Sequence, residues 1–234
     1  MCVDANLPTI GILMLDSKFP RIPGDIGNEK TWPFPVRHKI VENASPDHVV
    51  RRHAEGLLGS FIAAGKELEE EGVSAITTSC GFLSIFQKEL ANVLTVPVLT
   101  SSLMQVEMIN RMLPAGRIAG ILTIAASSLS EEHLKLANIP ENTPIGTTEG
   151  GNEFTRVILN NENVLDVKQA QQDNIQAALK LQQDNPNLGA IVLECTNMVP
   201  YAEAIAQASG LPVFSIETLV SWLYEGLFPR SFAP

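Results

Sequence analysis

Three segments of the chain recur at one fixed spacing of 115 positions, and this constrains the fold more than any other feature of the sequence. Ala75-Ile-Thr-Thr-Ser-Cys80 lines up with Ala190-Ile-Val-Leu-Glu-Cys195. The same spacing carries Leu90-Ala91 onto Ile205-Ala206 and Val96-Pro97-Val98 onto Leu211-Pro212-Val213. The strands that open each half match more loosely. Thr9 to Leu15 and Arg117 to Ile124 share Gly-Ile-Leu, beginning at Gly11 and Gly120. Self-similarity at a fixed offset is the mark of an internal duplication.

Helical patterns lie between these strands. From Val50 the apolar positions run Val50, Ala54, Leu57, Phe61, Ala64 and Leu68, in steps of four and three. Ser45-Pro46-Asp47 supplies a start signal and Gly72 a stop, which predicts one helix across the interval. A second helix is predicted from Asp166 to Gln183, with Ala170, Ala177, Ala178 and Leu181 inward and Gly189 before the next strand. Alternating strands and helices give a parallel sheet with helices on its faces. Short apolar strands without alternation, such as Ala190 to Leu193, suit a sheet buried on both sides. The expected fold is therefore α/β: two similar doubly wound parallel-sheet domains related by a pseudo-two-fold duplication, with a cleft between them. Residues 1–100 form the first domain and 101–213 the second. A C-terminal helix within 214–234 is expected to pack back on the first.

In open parallel sheets, ligands bind beyond the carboxyl ends of the strands. Asp16, Cys80, Ser127 and Cys195 all fall there. The duplication makes Cys80 and Cys195 equivalent, so two facing halves would turn both thiols into one cleft. A helix N-terminus favours the thiolate through its free N–H groups and dipole. A thiol and a thiolate on opposite sides of a carbon form the acid/base pair that inversion requires. A lone cysteine is more often a small buried hydrophobe than a catalyst; two at duplicated strand ends favour catalysis. Cys2, close to the start of the chain, has no such case.

Asp16 reads either as an assistant to a thiol or as a helix cap. Ser127 and Ser128, and Thr196 with Asn197, suit either a substrate carboxylate or a cap. The Pro- and Gly-rich stretch from Phe19 to Asn28 reads as a shaped loop at the cleft mouth, where Arg21 or Asn28 could reach a ligand. Gly150 to Glu153 makes a second such loop. The four histidines, His38, His48, His53 and His133, fall in loops or on polar helix faces and are expected to be exposed. No glycine pattern forms a dinucleotide or phosphate-loop fingerprint, and no His or third Cys accompanies either strand-end cysteine as a metal ligand would.

The pattern resembles the aspartate/glutamate racemase superfamily, which also includes hydantoin racemase, maleate isomerase and arylmalonate decarboxylase. The resemblance covers nearly the whole chain. It rests on Asp16-Ser17, on Cys80 after Thr77-Thr78-Ser79, and on Glu194-Cys195-Thr196-Asn197. It implies a two-domain enzyme working without pyridoxal phosphate, metal or other cofactor, with Cys80 and Cys195 as the acid/base residues and Asp16 assisting. Substrate contacts are expected from Ser17, Gly81, Phe82, Ser127, Ser128, Thr196 and Asn197. Two departures bear on the substrate. Gly81-Phe82 stands where glutamate and aspartate racemases have Asn-Thr, and Asn197 stands where glutamate racemases have His. Phe82 makes a more apolar floor than a free amino-dicarboxylate would want, and Asn197 cannot titrate.

The expected function is a cofactor-independent racemase or epimerase, inverting a carbon next to a carboxylate or carbonyl in an amino acid or a derivative such as a hydantoin. The alternatives are a maleate-type isomerase, in which one Cys adds to a double bond, and a non-catalytic small-ligand-binding protein. The net charge of −10, from 26 acidic and 16 basic residues, excludes a phosphate-binding nucleic-acid surface. No membrane partner is expected, since no apolar stretch approaches the ~18 residues of a span. Three cysteines make no disulfide framework, and the N-terminus, interrupted by Cys2, Asp4 and Asn6, does not read as a signal peptide. A cytoplasmic protein is expected. The oligomeric state stays open, homo-oligomers being common among enzymes of this size.

Overall fold

Residues 7–230 and Phe232 are described in a computed structural model. The expectations concerning Cys2, Asp4 and Asn6 lie outside them. The apolar run Ile10–Leu15 forms β1, buried along its whole length. It pairs in parallel with β2 (Val36–Val41) on one side and β3 (Ala75–Thr78) on the other, and β3 pairs with β4 (Val98–Leu99). The second half repeats this with β5 (Ile118–Thr123), β6 (Ile145–Thr147), β7 (Leu188–Leu193) and β8 (Val213–Phe214). The strand orders are β2-β1-β3-β4 and β6-β5-β7-β8, the same topology twice. β1, β3 and β7 are buried at every residue, as parallel strands covered on both faces must be.

Chain-local chemistry sets the helices. Asp166 caps α7 (Val167–Asp184) by accepting from the N–H groups of Lys168 and Gln169. The duplicated helices are α3 (Gln87–Val93) and α8 (Ala202–Ser209), and Gly210 ends α8 in the left-handed region at φ 67°.

The apolar ladder from Val50 forms two helices rather than one. α1 (Pro46–Arg51) stops, and α2 (Leu58–Glu70) begins after a turn in which His53 and Ala54 have φ of 52° and 51° and Gly56 has 75°. Left-handed backbone at two non-glycine residues costs about 1–2 kcal/mol each. The turn frees α1 to lie against α6 (Phe154–Leu159) of the other half, while Ala54 and Leu57 stay buried.

One hydrophobic core runs through both halves, joining Leu13 and Ile76 to Ile121 and Ile191. A second cluster sits under the C-terminal helix α9 (Ile216–Leu227). Its Ile216, Leu219 and Val220 pack on Ile10, Ile12 and Trp32 of the first half. Among the described residues no helix is long and apolar enough to cross a membrane.

Candidate active site

Cys80 and Cys195 each sit one residue before a short 3-10 helix, Gly81–Phe86 in the first half and Thr196–Tyr201 in the second. Both follow a strand of the duplicated pair, so the two sheets deliver them to the same place from opposite sides. At each sulfur the backbone N–H two residues on, that of Phe82 at Cys80 and that of Asn197 at Cys195, favours the thiolate. The repeat therefore extends from sequence to the surroundings of the two sulfurs.

The two thiols line one cavity together with Ser79, Phe82, Glu194 and Asn197. Its apolar side is Phe19, Pro46 and Val50 from the first half and Ile158 and Leu159 from the second, which is where α1 meets α6. Between these side chains there is free room for at most one water molecule, so the cavity is closed as it stands. Among the described residues no Lys, Arg or His lines the cavity. The larger hollow around Glu131, Lys135 and Glu141 is an open surface depression without a cysteine.

Burial dominates the electrostatics. It pushes both thiols well above the ordinary cysteine range, and the neighbouring Glu194 carboxyl pushes in the same direction. Cys195 is raised further by Cys80. The backbone N–H groups, and at Cys80 also the charge of Arg21, favour the thiolates but are outweighed. The 3-10 helix starts alone thus do not deliver a thiolate, contrary to the expectation from their position. The resting site holds two thiols.

Glu194 is fully buried, and burial pushes its pKa up to about 8. Its Oε2 accepts a hydrogen bond of 2.7 Å from Thr123 Oγ1, at the end of β5, while Oε1 has no partner among the described residues. Cys195 Sγ donates to Asn197 Oδ1 at 3.6 Å, and Asn197 Nδ2 donates to Asp25 Oδ2 at 2.7 Å. Asp25 Oδ1 in turn accepts from Arg21 Nη1 at 2.9 Å, and Arg21 Nη2 donates to Ser17 Oγ at 2.8 Å. The amide of Asn197 has only one orientation that satisfies this chain: its NH2 must face the carboxylate, so its oxygen faces the thiol.

Of the residues singled out from the sequence, Cys80, Phe82, Cys195 and Asn197 meet at the cavity. Gly81 is packed against Glu194, and Thr196 Oγ1 donates to Ser79 O at 2.7 Å, tying the halves together. Ser17 serves Arg21, which also stacks over the Phe19 ring at 4.4 Å. Asn28 donates to Arg21 O at 2.7 Å. Asp16 is exposed and does not line the cavity. Ser127 is exposed and bonded to Glu149, and Ser128 N donates to Ala125 O at 3.1 Å; neither lines the cavity. His133 is buried at 1% exposure, edge-on to Phe82, whereas its sequence context suggested exposure. His38 and His48 are half-buried and only His53 is exposed. Asp25 and Glu194 are the residues the sequence did not single out. Glu194 carried a signal, since it breaks the duplication where Ser79 is its counterpart. Asp25 sits in a Gly-Asp turn that gave none.

No family model matches the chain. Over 93% of its length it is 25% identical to a dimethylsulfoniopropionate lyase of Durusdinium sp. clade D, spanning 74% of that protein. It is 28% identical to dimethylsulfoniopropionate lyase 5 of Emiliania huxleyi (strain CCMP1516), again over 93% of this chain but only 45% of that protein. Solved structures share the whole architecture. Arylmalonate decarboxylase superposes with a TM-score of 0.61 at 14% identity, covering 97% of this chain and 96% of the other. Allantoin racemase from Klebsiella pneumoniae gives 0.66 at 13% identity, covering 94% and 87%. Aspartate racemase of Picrophilus torridus gives 0.57 at 15%, covering 97% and 96%. The chain shares its fold with arylmalonate decarboxylase and with the allantoin and aspartate racemases, and at these identities it is the fold alone that is shared. The relatives in sequence are lyases.

Proposed function

We propose that this protein is a cofactor-independent enzyme in which a cysteine thiolate removes the proton next to the carboxylate of a small zwitterionic substrate, and that the resulting carbanion expels a β-onium group. The observation that carries this reading is the pair of thiols in one closed cavity whose walls, among the described residues, hold a carboxyl group and no Lys, Arg or His. An amino-dicarboxylate would bring uncompensated negative charge into that cavity. A carboxylate bearing its own positive group would not, and the aromatic ring of Phe82 in the wall suits an onium ion. The same positive charge answers the need left by burial, since it lowers the cost of ionising a nearby thiol. The sequence relatives named for dimethylsulfoniopropionate support this substrate class. For that compound the balance is simple. The proton leaves the carbon next to the carboxylate, the C–S bond breaks with its electron pair going to sulfur, and acrylate, dimethyl sulfide and a proton result.

Racemisation of a carbon next to a carboxylate is the second reading, favoured by the duplicated placement of the two thiols. One experiment separates the two. The protein is incubated in deuterated buffer with dimethylsulfoniopropionate, and separately with chiral 2-substituted acids and hydantoins, while proton NMR follows the α-hydrogen and any vinyl signals. Vinyl signals with wild-type protein and none with Cys80→Ser or Cys195→Ser support elimination. Deuterium incorporation with loss of optical activity supports racemisation. Neither with any compound overturns proton abstraction itself.

A further inference from the structure

The duplication is broken at the residue before each cysteine, and the break places a carboxyl group in the cavity. Ser79 precedes Cys80, with its hydroxyl accepting from Leu15 N at 2.9 Å. Glu194 precedes Cys195 and lines the cavity with both thiols. Its two oxygens stand in different situations. Oε2 accepts from the Thr123 hydroxyl at 2.7 Å, whereas Oε1 is buried against Gly81 without a hydrogen-bond partner. A buried carboxylate with an unpaired oxygen, beside two groups that must themselves become negative, is the costliest arrangement available. A carboxylic acid is not. With Thr123 donating to Oε2, the acid proton belongs on Oε1, and the site then contains a hydrogen-bond donor with nothing of the protein's own to bind.

Resting on the reading above, we propose that Glu194 is a third catalytic residue, a neutral carboxylic acid whose Oε1–H donates to a carboxylate oxygen of the substrate and keeps that hydrogen bond as charge builds on the enediolate. An acid held neutral by an apolar site is a strong donor to an oxyanion. The raised pKa agrees with this protonation state at neutral pH. The proton stays on Glu194 throughout. The proton taken from carbon goes to a thiolate, so the two groups divide the work: sulfur moves a proton and the carboxyl steadies the electrons left behind. The titratable groups facing Glu194 are the thiols of Cys80 and Cys195, with Asp25 and Arg21 behind them. Both thiols are raised well above their ordinary range, so Glu194 is the first of the three to ionise as pH rises.

The test compares wild-type protein with Glu194→Gln, whose amide can donate from the Oε1 position while accepting from Thr123, and Glu194→Met, which can do neither. With dimethylsulfoniopropionate, turnover is expected to fall by up to about tenfold in the Gln variant and by about 10²–10³-fold in the Met variant, the usual loss for one oxyanion donor. Equal losses in both variants overturn the donor role. Two further readouts do not depend on turnover. The infrared difference spectrum of wild type minus Glu194→Gln is expected to show a carboxylic-acid carbonyl band at pH 7 that fades as pH rises through about 8; its absence at pH 7 means the group is ionised and ends the proposal. Glycine betaine, a zwitterionic carboxylate with no β-leaving group, is expected to bind wild type and the Gln variant alike, and the Met variant at least about tenfold more weakly, as expected for loss of a hydrogen bond to a charged group. Equal binding by all three overturns the proposal. Failure of the elimination reading alone leaves the infrared and glycine betaine results to decide it.

Discussion

Gly81 and Glu194 are fitted to each other: a Cβ at residue 81 would lie 2.3 Å from both the carbonyl oxygen and Oε1 of Glu194. One of those atoms is backbone at the end of β7 and cannot swing away. Gly81→Ala is therefore expected to destabilise the protein by several kcal/mol and to displace the carboxyl group from the cavity, with activity lost together with stability. Gly59, near the start of α2, is the control. A Cβ there meets nothing within 4 Å, and Gly59→Ala is expected to stabilise by about 0.5–1 kcal/mol. Urea denaturation of both variants checks the contrast. Equal effects would mean that the Gly81 contact relaxes freely.

A carboxyl group with a folded pKa of about 8 makes the protein less stable as pH rises. Below the ordinary Glu value the side chain is protonated in both folded and unfolded chains and contributes no difference. Between there and pH 8 the unfolded chain ionises while the folded one does not, so the unfolded state gains. Wild-type stability should fall across that window by an amount on the order of a few kcal/mol. Glu194→Gln should remove this slope, so that the variant overtakes wild type toward pH 8. Denaturant midpoints at pH 5, 6.5 and 8 check this; parallel curves would place Glu194 in a more hydrated setting.

The sequence carried the fold through its repeat. Residues buried on both faces of a parallel sheet are forced to be apolar, so β1, β3, β5 and β7 were legible, as were the cysteines at their ends. β2 was not. It is an edge strand, and Arg37 and Lys39 alternate with half-buried residues, which resembles a polar loop. The break between α1 and α2 was hidden because Ala54 and Leu57 remain buried in the turn, so the apolar ladder continues where the helix does not. Asp25, Glu194 and His133 were out of reach for a different reason. Their roles come from contacts distant in sequence, Asp25 with Asn197, Glu194 with Thr123 and His133 with Phe82, and local pattern does not record such partners.

His133 shows the opposite pH dependence. Burial, with His53 nearby, pushes its pKa down to about 4. Nδ1 lies 2.7 Å from Ser130 Oγ, and Nε2 is buried without a partner, so a charged ring has one nitrogen with nothing to receive its proton. The folded state holds the ring neutral. Its contribution is present above the ordinary His value and is lost as pH falls from there through about 4, with a magnitude on the order of 2 kcal/mol. His133→Gln should flatten the acid limb of stability between pH 6.5 and 4. An unchanged limb would assign acid unfolding to other groups. Because His133 packs edge-on against Phe82, with ring centroids 5.2 Å apart, protonation would also disturb the wall of the cavity, and activity should fall over the same range.

Asn197 gives the sharpest test of the hydrogen-bond chain behind Cys195. Its amide bridges a thiol and a carboxylate, and that role depends on having one donor side and one acceptor side. Asn197→Asp preserves the shape and removes the donor. It sets a second carboxylate against Asp25 where the donor nitrogen stood, 2.7 Å away. Two buried carboxylates at that distance cannot both ionise, so one is pushed far above its ordinary pKa. Near neutral pH the variant should lose several kcal/mol of stability and most of its activity. As pH falls, one of the pair takes up a proton, the bridge re-forms as an acid–carboxylate hydrogen bond, and stability relative to wild type should recover. Asn197→Ala removes the bridge without adding a charge, so its deficit should be smaller at pH 7 and should not recover on acidification. Stability and turnover of both variants between pH 5 and 8 distinguish the cases. If Asn197→Asp behaves like Asn197→Ala at every pH, Asp25 is not held against residue 197 in solution, and the orientation assigned to the amide falls with it.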